Sequence, residues 1–230
     1  SIQSIGAEAF QGNLLNEVIL PNNIQSIGDA AFEANFLKEL SIPESLNDLG
    51  EKSFENNNIE SLTFNESGSL REIKEKAFYS NDIDDLVLPN SVTDIGDYAF
   101  SENKIQTLEF PEELVAIHNG SFEKNLLTNL IFPNKLESIG HLSFSDNKLE
   151  TVNLPDGLLS LGGGSFKDNE LTEVEIPNGV EVLEERVFTN NNIVKVKLGN
   201  NLHTIMKDAF SNNLIETLIV PATVKHLSGF

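Results

Sequence analysis

The sequence predicts a strand-rich solenoid of the α/β class: ten tandem 22-residue coils whose strands line up in one curved parallel sheet. Short turns or 3-10 segments are expected on the convex side. Three columns of residues carry this prediction. Phenylalanine recurs at Phe10, Phe32, Phe54, Phe78, Phe100, Phe122, Phe144, Phe166, Phe188 and Phe210, every step being 22 residues except one of 24. Three residues after each comes an asparagine, from Asn13 and Asn35 through to Asn191 and Asn213. All eight prolines share one further column: Pro21, Pro43, Pro89, Pro111, Pro133, Pro155, Pro177 and Pro221.

The strand of each coil is read from a stretch such as Leu149-Glu150-Thr151-Val152-Asn153-Leu154-Pro155. Its second half alternates apolar and polar, the period-2 pattern of a strand with one buried face. Proline has no N–H to give a ladder, so it ends the paired segment. Ten strands stacked in the same direction at about 4.8 Å give an array roughly 45–50 Å long. A column of Ile or Leu (Ile5, Ile27, Leu49, Ile73, Ile95, Ile117, Ile139, Leu161, Leu183, Ile205) faces inward with the phenylalanines, which stack as a spine. The small residue before each Phe, as in Ala9, Ala31, Ser53 and Ala99, lets neighbouring coils pack closely. Glycine after Ile or Leu (Gly6, Gly28, Gly50, Gly96, Gly140, Gly162) marks either a bend with positive φ or a tight backbone approach. An Asn repeated once per coil at a turn offers both donor and acceptor, and it is expected to bond the backbone of its own and adjacent coils.

The formal charge is −21, unevenly spread: residues 1–115 hold 6 basic and 22 acidic side chains, residues 116–230 hold 9 and 14. That field repels phosphate, which argues against nucleic acid or anionic lipid and favours a protein partner with a cationic surface. No apolar run approaches the roughly 20 residues of a membrane-spanning helix. Cysteine is absent, which excludes disulfides, thiolate metal sites and a cysteine nucleophile.

The unit Ile-Gly-x-x-Ala-Phe joined to Leu-x-x-Leu-x-Leu-Pro resembles the BspA-like, treponemal-type leucine-rich repeat over essentially the whole chain. In that family the position three after Phe is often cysteine and the units are slightly longer; here it is always asparagine, as in the ladders of other leucine-rich repeats. The resemblance implies an α/β leucine-rich-repeat solenoid from a bacterial or protist surface or secreted protein, some relatives of which adhere to host matrix proteins or cells. No family binding residues transfer, because recognition in such arrays uses the variable positions, and no cofactor is implied.

Variable positions on the strand's outer side, expected to form a concave face, are therefore the candidate partner contacts: Glu17, Glu39, Asp85, Glu109, Glu173, Glu175, Lys195 and Lys197. Lys195 and Lys197 stand one strand over from Glu173 and Glu175, which predicts two cross-strand ion pairs. No Trp or Tyr occupies this face, although aromatics dominate interface hot spots. Asn65-Glu66-Ser67-Gly68-Ser69 reads as a two-residue insertion forming a surface bulge, and Gly162-Gly163-Gly164 as a slack bend rather than a phosphate loop. Asn65-Glu66-Ser67 and Asn119-Gly120-Ser121 match the glycosylation pattern only as accidents. His118, His141, His203 and His226 are scattered, with no Ser-His-Asp or His-x-x-x-His spacing and no calcium loop, so no catalytic or metal site is expected. The organisation is one repeat domain over 1–230, read as a fragment of a larger chain. The terminal coils lack dedicated caps, from Ile2, Ile5 and Phe10 at one end to Leu227-Ser228-Gly229-Phe230 at the other, which predicts fraying or end-to-end self-association. These features favour a non-catalytic interaction module, with a stiff stalk that presents another domain as the alternative.

Overall fold

The computed structural model describes residues 2–228; Ser1, Gly229 and Phe230, which the reading of the array ends includes, lie outside the described residues. The alternation of apolar and polar residues after the Asn produces six of the ten expected strands, from Glu39–Ile42 to Lys195–Lys197, and none around Glu17 or Thr217. In Glu39–Ile42, Leu40 and Ile42 are buried while Glu39 and Ser41 face out. This strand pairs in parallel with Ser61–Phe64, each residue opposite its counterpart one coil on. Asp85–Val87 pairs likewise with Thr107–Glu109, and Glu173–Glu175 with Lys195–Lys197. Between them the ladder thins to a single bridge, Ile131 to Asn153. In eight coils proline follows the strand segment and opens the next turn, the carbonyls of Pro21, Pro43, Pro89, Pro111, Pro133, Pro155, Pro177 and Pro221 each accepting the N–H three residues on; Asn65 and Gly199 hold that position in the other two.

A second strand column stands where the sequence was read only as an inward-facing Ile/Leu row. It consists of two-residue strands, such as Ser26–Ile27, Asp48–Leu49, Asp94–Ile95 and Ala116–Ile117. Parallel pairing runs without a break from Glu72–Ile73 to Ser160–Leu161. The inward residue of each pair is almost fully buried, as Ile27, Leu49, Ile73 and Ile95 show. The coil therefore has two pleated sides rather than one sheet, because the inward residue of each short strand needs a paired backbone behind it.

The third side replaces the anticipated 3-10 segments. Among the described residues there is neither α-helix nor 3-10 helix, so the α/β expectation gives way to an all-β coil. The residues two before and two after every Phe adopt positive φ, as at Ala30 (51°), Ala34 (55°), Lys52 (56°) and Asn56 (55°). This geometry turns the N–H groups of every second residue toward the next coil, while those between, as at Ala31 and Glu33, donate to the carbonyl three residues back. At each junction the N–H groups of Phe and of its two left-handed neighbours donate to carbonyls of the next coil, as from Lys52 to Glu75, Phe54 to Ala77 and Asn56 to Tyr79. The strain of a left-handed side chain, roughly 1–2 kcal/mol per residue, is offset by a third ladder that leaves these amides paired.

The glycines after Ile or Leu do not carry the positive φ; the close-approach alternative holds at Gly28, Gly50, Gly96, Gly140 and Gly162, and Gly6 in the first coil has open space. A Cβ built on Gly50 would lie 2.4 Å from the Asp29 nitrogen and the Gly28 carbonyl carbon. Gly50→Ala is therefore expected to push two coils apart, costing about 1–3 kcal/mol. A urea midpoint unchanged from the parent would refute this account. Gly162-Gly163-Gly164 is likewise no slack bend: all three N–H groups are hydrogen-bonded, to Ile139, His141 and Glu185.

Two stacks run through the centre. The ten phenylalanines of the column lie face to face, with neighbouring centroids 5.1 to 5.7 Å apart. The widest step, Phe54 to Phe78, spans the inserted residues, which Gly68 and Ser67 fold into a turn by donating to Asn65. Beside the spine runs the asparagine ladder. Asn103 accepts from the Ile83 N–H at 3.1 Å and donates to the carbonyls of Phe78 and Phe100 at 3.0 and 3.2 Å, tying two coils together.

Candidate partner-binding face

The long-strand column places all eight candidate residues on one outward face. Number the coils by their Phe, Phe10 opening the first. Glu17, Glu39, Asp85 and Glu109 then belong to coils one, two, four and five, and the other four to coils eight and nine. The two parts of the face differ electrostatically. Glu173 stands in register with Lys195, whose Nζ lies 3.3 Å from the carboxylate, and Lys197 pairs with Glu175 in the same way. Both predicted ion pairs form. At the other end Asp85 accepts a hydrogen bond from the Thr107 hydroxyl, and no ion pair involves Glu17, Glu39, Asp85 or Glu109 among the described residues.

Aliphatic side chains on this face were not singled out from the sequence. Ile19, Val87, Ile131 and Ile219 occupy one column, 84%, 56%, 84% and 83% exposed. The signal was present as an apolar residue at a position whose neighbours are Ser, Thr, Asn, Glu or Lys. A shallow cleft opens among Glu17, Ile19, Glu39, Ser41, Thr63 and Phe64, and a second lies around Glu173, Glu175, Lys195 and Lys197.

On the other sides the histidines of the described residues stand apart from one another. His118 approaches Asp94 at 3.9 Å, His141 approaches Glu184 at 3.5 Å and His203 approaches Glu181 at 3.8 Å, each in a different place. No group of three or more metal-ligating side chains occurs among the described residues. Both tyrosines sit on the turn side, Tyr79 and Tyr98, with the Lys76 ammonium 5.7 and 6.0 Å from their ring centres.

One carboxylate on that side is out of balance. Glu55 is buried, and its Oε2 has no hydrogen-bond partner. Burial, and then the neighbouring Glu33 charge, raise its pKa above the ordinary carboxylate value. A raised carboxyl pKa in the fold means that the folded state holds the proton more tightly. The penalty is then absent below the ordinary Glu value and is fully present above the raised one. Glu55→Gln is accordingly expected to raise the melting temperature at neutral pH, with the gain vanishing as pH falls toward 4. A gain independent of pH would reject the charge as its cause.

The stacked parallel coils, the Phe spine and the Asn ladder define a leucine-rich-repeat solenoid. The model of the BspA-type leucine-rich repeat region matches residues 3–127 and 115–229, and the chain belongs to that family. No curated protein matches it. Among solved structures, a leucine-rich repeat protein from Bacteroides ovatus is 22% identical with a TM-score of 0.72, the match covering 99% of this chain and 66% of that one. The leucine-rich repeat protein of T. pallidum is also 22% identical, with a TM-score of 0.53 over 97% of this chain and 84% of that one. The pneumococcal vaccine antigen PcpA is 21% identical, with a TM-score of 0.53 over 99% and 72%. At these identities the likeness concerns the fold. Repeats of this family are typical of interaction modules in bacterial surface proteins, on a scaffold that is typically non-catalytic. No helix of the described residues is long and apolar enough to cross a membrane.

Proposed function

We propose that the chain is a non-catalytic protein-interaction module of a bacterial surface or secreted protein, adhering to host or matrix proteins through its long-strand face. The observation that carries this reading is the exposure of Ile19, Val87, Ile131 and Ile219 on a regular sheet face whose opposite side already supplies the core. Nothing in the packing of the coil calls for aliphatic residues there; two to four coils apart, they form no continuous patch and serve as separate anchors among polar positions for a partner lying along the face. Family membership supports the same reading.

The test is a binding screen of the chain against extracellular-matrix and cell-surface proteins at low and physiological salt. Saturable binding to a panel member, lost when Ile131 and Val87 are changed to threonine, is the expected result. Silence across the panel would instead favour a stalk that holds another domain away from the surface.

A further inference from the structure

The eight face residues do not contribute equally to such an interface. We infer that its docking site is the face of coils one to six, and that its occupant is a Lys- or Arg-rich polypeptide segment carrying aliphatic side chains. This rests on the reading of the face as an interaction surface and adds its place and its chemistry.

The first support is the way this chain treats its own carboxylates. Where it neutralises one it commonly uses a lysine 22 residues further on, in the next coil: Lys104 with Asp82, Lys124 with Glu102, Lys135 with Glu113, Lys195 with Glu173 and Lys197 with Glu175. On the outer strand face of coils one to six that device is missing. The twelve outward positions there hold Glu17, Glu39, Asp85 and Glu109 and no basic residue. The residues 22 after Glu17, Asp85 and Glu109 are Glu39, Thr107 and Ile131, and Ser61 follows Glu39. In coils eight and nine the same positions hold two acids and two bases, already closed on one another.

The second support is independent of charge. Three of this face's four exposed aliphatics, Ile19, Val87 and Ile131, fall within the unneutralised stretch. Ile19 and Glu17 line one cleft with Glu39 and Phe64, so an apolar wall and two free carboxylates border the same depression. A neutral or acidic partner would bury those carboxylates without a counter-charge, which costs more than the aliphatic contact returns. A cationic segment with aliphatic side chains satisfies both features, its long side chains lying along the face with their charged ends on the carboxylates. Glu173, Glu175, Lys195 and Lys197 then bound the site rather than belong to it.

The experiment titrates two fluorescent peptides, six Lys-Ala repeats and six Lys-Leu repeats, into the full chain at low salt and at about 0.15 M salt. One variant carries Glu17→Gln, Glu39→Gln, Asp85→Asn and Glu109→Gln. A control carries Glu8→Gln, Glu51→Gln, Glu72→Gln and Glu75→Gln, removing the same net charge elsewhere in the acidic half. Exposed pairs give roughly twofold each, so the face variant is expected to weaken binding on the order of tenfold and the control much less. Ile19→Thr with Val87→Thr is expected to weaken the Lys-Leu peptide and spare the Lys-Ala one. Equal loss in both charge variants would mean a diffuse field rather than a site, and would overturn the inference. So would peptide binding that the face variant leaves intact. If the matrix panel is silent while the face variant alone loses the peptides, the adhesion reading falls and this inference stands. Panel binding that survives the face variant does the reverse.

Discussion

Phe122→Ala is expected to cost about 3–5 kcal/mol of stability, among the largest effects of a single substitution in this chain. The ring is fully buried. It stacks on Phe100 and Phe144, each with centroids 5.5 Å away, and the edge of Phe110 meets it at 5.8 Å. Truncation removes the transfer energy of the ring and leaves a gap between two coils that cannot close, because the backbone ladders on the other sides hold the coil spacing. Coils in such an array are stabilised chiefly by their nearest neighbours, so the position of the lesion also matters. Phe10→Ala supplies the comparison: that ring is 44% exposed and stacks only on Phe32 within the spine. Urea denaturation followed by circular dichroism should show less than half the Phe122 loss at Phe10. Equal losses would mean that the stack is not what couples one coil to the next.

The spine was legible because phenylalanine has one periodic position per coil and few strays. The proline that closes the strand has no strays; asparagine has 18 residues off its column, and the ladder shows because one Asn in every coil keeps a fixed offset of three from Phe. Three features were not legible, for physical reasons. The short strands, such as Asp94–Ile95, are two residues long, below the length at which alternation can be distinguished from a lone inward residue. The left-handed positions are filled by Glu, Ala, Lys, Asn, Ser, Tyr, Leu, Asp and Arg as well as Gly, so residue type does not announce them. They are imposed by the forward ladder, a property of the stack and not of any one turn. Conversely, the visible glycine at Gly28 or Gly50 invited a conformational reading, whereas its task is to leave room for the coil beneath it. Of the candidate face, sequence spacing supplied the positions and the Glu–Lys pairs. The contrast between a self-neutralised end and an open one depends on which carboxylates find a lysine, and the structure supplies that pairing.

Asn125→Ala is expected to cost at least as much per atom removed as Phe122→Ala, through a different cause. Asn125 is nearly fully buried. Its Oδ1 accepts from the Ile105 N–H at 3.0 Å, and its Nδ2 donates to the Phe100 and Phe122 carbonyls at 2.9 and 3.2 Å. Alanine leaves the Ile105 N–H without a partner in a place water does not reach, and takes one of two asparagine bonds from each carbonyl, Phe100 keeping Asn103 and Phe122 keeping Asn147. The orphaned N–H costs about 1–3 kcal/mol and each lost bond to a carbonyl about 0.5–1.5 kcal/mol, giving a total near 2–5 kcal/mol when the coils relax in part. Asn125→Asp separates the two halves of the side chain. The acid keeps the acceptor for Ile105, but once ionised it presents a second oxygen to two carbonyls. Burial then holds its folded pKa above the ordinary Asp value, so the variant approaches the parent at acid pH and loses stability as pH rises through that raised value. The pH-dependent gap between Asn125→Asp and the parent is the decisive readout. If Asn125→Ala costs under about 1 kcal/mol, or the Asp variant shows no such gap, the ladder merely fills space and the coils are held by spine and backbone alone.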